Sequence, residues 1–186
     1  MNKALLILSE LNHRDIDWMI NNGIQEQIES GRTLIQENEP IDALYIVLDG
    51  NLSVSVEAMG DREISRISKG DVLGEMSFID SRLPSATVKA ITPCLVLSIP
   101  KHKLSEKLEQ DVLFALRFYR AVTKFLSSRL RNTVNRFSDQ PQQSLPDQAI
   151  PNPEELAHFQ DGIYKFNWIL ERLKIKANCN PQVNQV

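Results

Sequence analysis

The run from Leu73 to Ala90, Leu-Gly-Glu-Met-Ser-Phe-Ile-Asp-Ser-Arg-Leu-Pro-Ser-Ala-Thr-Val-Lys-Ala, holds the residue types best suited to ligand chemistry. Gly74 permits a sharp backbone turn, and Met76, Ser77 and the two residues after them can form one helical turn whose unpaired N–H groups attract negative charge. Glu75 is repelled by an anion and suits a partner that donates to it, such as the hydroxyls of a sugar. Downstream, Ser85, Ala86 and Thr87 are small enough for the backbone to approach a ligand, and two of them add hydroxyls. Phosphate plus ribose is the shape these residues imply.

On these residues the chain resembles the phosphate-binding cassette of cyclic nucleotide-binding domains, the family of catabolite activators, cyclic nucleotide-gated channels and kinase regulatory subunits. The family pattern is Gly-Glu, about eight residues, then Pro-Arg-x-Ala-Thr. Gly74, Glu75, Ala86 and Thr87 match it in type and spacing. The resemblance implies that Glu75 holds a ribose hydroxyl and that the Ala86–Thr87 end holds the phosphate of cAMP or cGMP. It also places Thr133 near the helix position whose hydroxyl touches the purine across a dimer. One position departs: Pro84 stands where the family has the arginine that pairs with the cyclic phosphate, and Leu83 precedes it. Arg82, two residues early, is the nearby candidate to replace it.

Removing one partner of a desolvated charge pair costs roughly 2–5 kcal/mol, and about 1.4 kcal/mol is tenfold in affinity. A site without the arginine should therefore bind a cyclic mononucleotide about thirtyfold to several thousandfold more weakly.

These residues need a frame. The 186-residue chain has room for one domain with a sizeable core plus appended elements, and its net charge of −3 gives no global drive toward nucleic acid or anionic membrane. No apolar run is long enough to span a bilayer or to serve as a signal peptide, so a cytoplasmic protein is expected. Cys94 and Cys179, far apart in sequence, read as free thiols.

Asn12 is an N-cap candidate with Asp15 three residues on; Ile16, Met19 and Ile20 form an apolar stripe, and Gly23 is a stop. Strand candidates follow at Ile24–Ile28 and Thr33–Gln36, broken at Gly31. Ala43–Leu48 is a continuous apolar run, and Asp49-Gly50 followed by alternating Leu52, Val54 and Val56 reads as a hairpin. Further strands are expected at Val88–Ile91 and Leu95–Ile99. The fold class is mainly β with flanking helices: an antiparallel jelly-roll β-barrel, a long C-terminal helix and an additional terminal helix. The resemblance supports it, Asp42–Gly50 matching the family's ALYIVLSG hairpin.

Past Pro100 the period turns helical. Leu104 and Leu108 mark a short helix, and Val112–Phe137 holds no Gly or Pro. Leu116, Tyr119, Leu126, Leu130 and Phe137 form one apolar stripe, and Phe114, Phe118, Ala121 and Phe125 a second. Two faces need two partners, and the family pairs this helix with its copy in a second subunit, so a homodimer is expected. The charged residues here are all basic, among them Arg117, Arg120, Lys124 and Arg129, and acidic groups elsewhere in the fold are their expected partners. Residues 138–152 read as a linker. Asn152-Pro153-Glu154-Glu155 opens a further helix over 153–176, with a seam of Leu156, Phe159, Ile163, Phe166, Leu170 and Leu173. Residues 177–186 read as a disordered tail, and residues 1–110 as the β-roll with its N-terminal helix.

No metal-ligand spacing, Walker loop, HExxH, nucleophile elbow or Cys–His pairing occurs, so no enzyme, metal or cofactor is expected. Too few residues follow Phe137 for a winged helix-turn-helix, so DNA contact by that route is not expected either. Two readings remain: a non-enzymatic sensor of cAMP, cGMP or a related small phosphate ligand through a weakened site, or a ligand-independent homodimeric interaction module that has lost nucleotide binding and uses the 153–176 helix for a partner protein.

Overall fold

The computed structural model describes residues 5–60, 62–80, 82–137 and 153–179; the side chains of residues 5–6, 132–133, 135–137, 153–155 and 175–179 lie outside the described set. The expected linker at 138–152 and the tail from 180 also lie outside it. Among the described residues no helix is long and apolar enough to cross a membrane.

Among the described residues two helices come first, α1 (Leu5–Glu10) and α2 (His13–Asn22). The α2 start is a capping box: Asp15 N donates to Asn12 Oδ1, and Asn12 N donates to the Asp15 carboxylate, each at 2.9 Å. Gly23 ends α2 with φ −82°, not in the left-handed region. Glycine is needed there for space, since a Cβ would stand 2.6 Å from the Leu97 side chain and 2.8 Å from the Met19 carbonyl oxygen.

Among the described residues eight strands follow: β1 (Ile24–Ile28), β2 (Thr33–Ile35), β3 (Ala43–Asp49), β4 (Asn51–Ser55), β5 (Glu63–Ser68), β6 (Val72–Leu73), β7 (Thr87–Ala90) and β8 (Cys94–Pro100). They form two antiparallel four-stranded sheets, ordered β1-β8-β3-β6 and β2-β7-β4-β5. The sheets do not close into a barrel, which corrects the expected architecture to an open jelly-roll sandwich. The expected hairpin at Asp49-Gly50 is also corrected. Strand β3 pairs with β8 and β6, while β4 pairs with β5 and β7, so the chain changes sheets at Gly50. Gly50 has φ +94°, and a Cβ there would meet Cys94 Sγ at 2.6 Å. The turn chemistry was legible; which sheet received the next strand was not.

The core lies in two layers. Ile28, Val47, Leu52, Leu73, Val88 and Val96 pack between the sheets. Leu44, Ile46, Leu48, Leu97 and Ile99, on the other face of the first sheet, pack against the helices. Both faces of β3 are covered, which is why Ala43–Leu48 is continuously apolar rather than alternating.

Three helices complete the domain: α4 (Lys101–Gln110), α5 (Val112–Phe137) and α6 (Pro153–Cys179). The α5 stripe of Phe114, Phe118, Ala121 and Phe125 is buried in the helical core. Its other stripe faces outward, with Leu116, Tyr119 and Leu130 exposed. Several basic residues of α5 meet carboxylates within the chain. Arg117 makes a bidentate pair with buried Asp15 at 2.6 and 2.9 Å, and Arg120 Nη2 lies 2.6 Å from buried Glu10, which Lys124 also engages. Helix α6 packs on α1 and α2. Its buried stripe is Gly162, Lys165, Phe166, Ile169 and Leu173, while Leu156 and Ile163 of the expected seam stay exposed. The buried Lys165 ammonium donates to the Ser9 carbonyl at 2.9 Å and pairs with Asp161. That bond lets a lysine occupy a packed helix face that periodicity alone assigns to apolar residues.

Candidate functional site

Strand β6 delivers the chain into the cassette at Gly74, whose φ is +85°. A Cβ there would lie 2.8 Å from the Ile41 side chain and 2.9 Å from the Ala43 carbonyl oxygen, so both conformation and space demand glycine. The turn feeds the short helix α3 (Met76–Ile79), with buried Ser77 on it. The Ser77 carbonyl accepts from Lys101 Nζ at 3.1 Å, and the same ammonium stands 5.5 Å from the centre of the Phe78 ring. Lys101 thus ties the cassette helix to the first residue of α4.

The cassette borders a cavity of about 230 Å³ between the second sheet and α5. Gly74, Glu75, Met76, Ser77, Arg82, Ser85 and Ala86 line it, together with Leu83 and Pro84. Ile35, Ile41, Val54, Leu73 and Val88 give it apolar walls, and Arg129 reaches it from α5.

Glu75 is 2% exposed. Its Oε1 accepts from Arg129 Nη1 at 2.6 Å, so the carboxylate expected to face a sugar is joined to the long helix. Burial pushes the Glu75 carboxyl above its ordinary range, and the Arg129 charge offsets only part of that. Nearby Asp71 is raised for the same leading reason, burial, against the hydrogen bond it accepts from Ser68 N at 2.8 Å and the Arg129 charge. The Arg129 guanidinium also lies over the Phe125 ring, 4.7 Å from its centre.

The phosphate end differs more from expectation. Thr87 does not line the cavity: its Oγ1 accepts from Glu37 N at 3.1 Å and from Gln36 Nε2 at 3.3 Å, holding β7 to the segment after β2. The Pro84 carbonyl accepts from Asn38 N at 2.9 Å. The Arg82 side chain is 85% exposed and pairs loosely with Asp80 at 3.8 Å. Thr133 lies in α5, its side chain outside the described residues.

The residue the sequence reading did not single out is Arg129. Its signal was the uniformly basic character of α5 beside an acidic chain, which pointed to internal carboxylates without saying which one.

The sequence profile of the cyclic nucleotide-binding domain matches residues 25–111. Over those residues the chain is similar to that family. The chain is 28% identical over 129 residues to the cAMP-activated global transcriptional regulator CRP of Pasteurella multocida, covering 67% of this chain and 59% of that protein. It thus spans less than two thirds of that relative's length. Among solved structures it resembles a cyclic nucleotide-binding domain from Methylobacillus flagellatus KT, with a TM-score of 0.65, 20% identity and coverage of 73% of this chain and 80% of that one. It also resembles the Thermus thermophilus catabolite activator protein, with a TM-score of 0.59 and 20% identity over 70% of this chain and 61% of that one. Identities this low speak for the fold alone, while the family match comes from the profile.

Proposed function

We propose that this domain is a non-enzymatic sensor that takes a nucleotide-like ligand in the cassette cavity and passes occupancy to α5. The observation that carries the proposal is the 2.6 Å bond between Glu75 in the cassette and Arg129 on α5, which joins the cavity wall to the helix whose outer stripe is exposed. A ligand hydroxyl arriving at Glu75 must share that carboxylate with Arg129, so binding acts directly on the position of α5. The exposed Leu116, Tyr119 and Leu130 suit a second copy of the chain, which makes a homodimer the receiver of the change. Gly74, Glu75, Met76, Ser77, Ser85 and Ala86 form the ligand contacts in this reading, and Arg129 joins them. Thr87 stands aside, and Arg82 borders the cavity from an exposed position.

Calorimetry with cAMP and cGMP tests it. With no arginine at the phosphate end, both should bind at about 10 µM or weaker. Pro84→Arg should tighten binding about tenfold or more, and Glu75→Ala should remove the gain. Submicromolar binding that disappears in Arg82→Ala would instead make Arg82 the phosphate partner. The second reading, a dimeric interaction module, is favoured by the exposed α5 stripe together with the exposed, loosely paired Arg82. Absence of binding in the unmodified protein and in Pro84→Arg would select it.

A further inference from the structure

The charges that line the cavity cancel in pairs. Arg129 is bonded to Glu75 at 2.6 Å, and Arg82 faces Asp80 at 3.8 Å from an exposed position. At the phosphate end stand an apolar side chain, Leu83, and a proline, Pro84, which has no N–H to donate. A cyclic phosphate brought here would lose hydration against Ile35, Ile41, Val54 and Val88, and the cation nearest that end among the described lining residues, Arg82, is exposed and faces Asp80.

The Glu75–Arg129 pair is suited to something else. A hydroxyl both donates and accepts, so it can donate to the carboxylate and accept from the guanidinium without breaking the bond between them. A vicinal diol can do this twice. A phosphate only accepts, and is drawn to Arg129 but repelled by the adjacent Glu75. The cavity, about 230 Å³, also lies below the usual span of roughly 300–1,000 Å³ for small-molecule sites, which favours a smaller ligand.

We propose that the cavity prefers a neutral ligand bearing a ribose-type vicinal diol, a ribonucleoside, over the corresponding cyclic nucleotide. The proposal rests on the reading of this cavity as a ligand site and specifies its ligand class. Leu83 and Pro84 make the preference by supplying no charge to a phosphate while Asp80 offsets the neighbouring Arg82, and the Glu75–Arg129 pair makes it by matching hydroxyls.

Titration calorimetry of the full unmodified chain tests this, using adenosine, guanosine, 2′-deoxyadenosine, cAMP and cGMP under one buffer condition. Adenosine or guanosine should bind at least about tenfold more tightly than its own cyclic phosphate. Loss of the 2′-hydroxyl should cost about tenfold or more, because one arm of the diol is gone. Pro84→Arg should reverse the order in favour of the cyclic phosphate. A smaller nucleoside advantage, equal binding of 2′-deoxyadenosine, or tighter binding of the cyclic phosphate overturns this inference while leaving the sensor reading in place. No heat with any of the five ligands, from protein shown folded by circular dichroism, overturns both.

Discussion

Replacing Arg129 with methionine removes a guanidinium from a carboxylate whose side chain is only 3% exposed. Breaking a buried ion pair by deleting one partner costs about 3–5 kcal/mol. The Arg129 side chain is 39% exposed, so solvent already screens the pair and a loss of about 2–3 kcal/mol at neutral pH is the better expectation. The loss must depend on pH. Burial already holds the Glu75 carboxyl above the usual 4.5, and removing the opposing charge pushes it further up. A carboxyl raised in the folded state takes up a proton there first, so the stability of Arg129→Met recovers as pH falls through that raised value. The deficit should therefore shrink steadily as pH falls and be largely gone near the ordinary 4.5. Urea unfolding followed by the fluorescence of Trp18 and Trp168 gives the free energies at each pH. Glu75→Gln combined with Arg129→Met should cost less than the sum of the single variants at neutral pH. A deficit independent of pH, or strict additivity, would refute the electrostatic link between cavity and helix.

Other outcomes follow from the same structure. The chain should sediment as a dimer at micromolar concentration, and Leu116→Glu or Leu130→Glu should shift it to monomer; a monomer unaffected by either change would remove α5 as the interface. Phe166→Ala should destabilise by about 3–5 kcal/mol and expose α6 to protease, since that ring is 5% exposed in the helical core; unchanged protection would mean α6 is held by its polar contacts alone. Burial raises the Glu10 carboxyl, but Lys124 and Arg120 together outweigh it and hold the group below 4.5. Its stabilisation is complete above the unfolded value and lost as pH falls through the lower folded one, so Glu10→Gln should flatten the acid limb of the stability profile below about 4.5.

Much of this architecture was legible in local chemistry. The Asn12–Asp15 capping box, the Gly-free run of α5 and the Gly74–Glu75 turn each follow from what a few neighbouring residues require of the backbone. What was not legible depended on contacts between distant segments. Gly50 signalled a turn, but the turn carries the chain between sheets, a choice made by the pairing of β4 with β7 and β5. Thr87 matched a phosphate ligand by position, yet its hydroxyl accepts from Glu37 N across the strand. Two seams were readable on α5 and one on α6, but α6 turns Lys165 inward because the Ser9 carbonyl is there to receive it. Arg129 was one of several basic residues on its helix until the fold set it against Glu75.

The central claim is that the cassette cavity and α5 respond as one unit. Hydrogen–deuterium exchange of the full chain, with and without millimolar cAMP or adenosine, tests it most directly. Ligand should slow exchange in the cassette around residues 74–86 and change it, in the same titration, in the α5 turn holding Phe125 and Arg129. Protection of the cassette with no change in α5, or of neither segment at saturating ligand, would contradict the account.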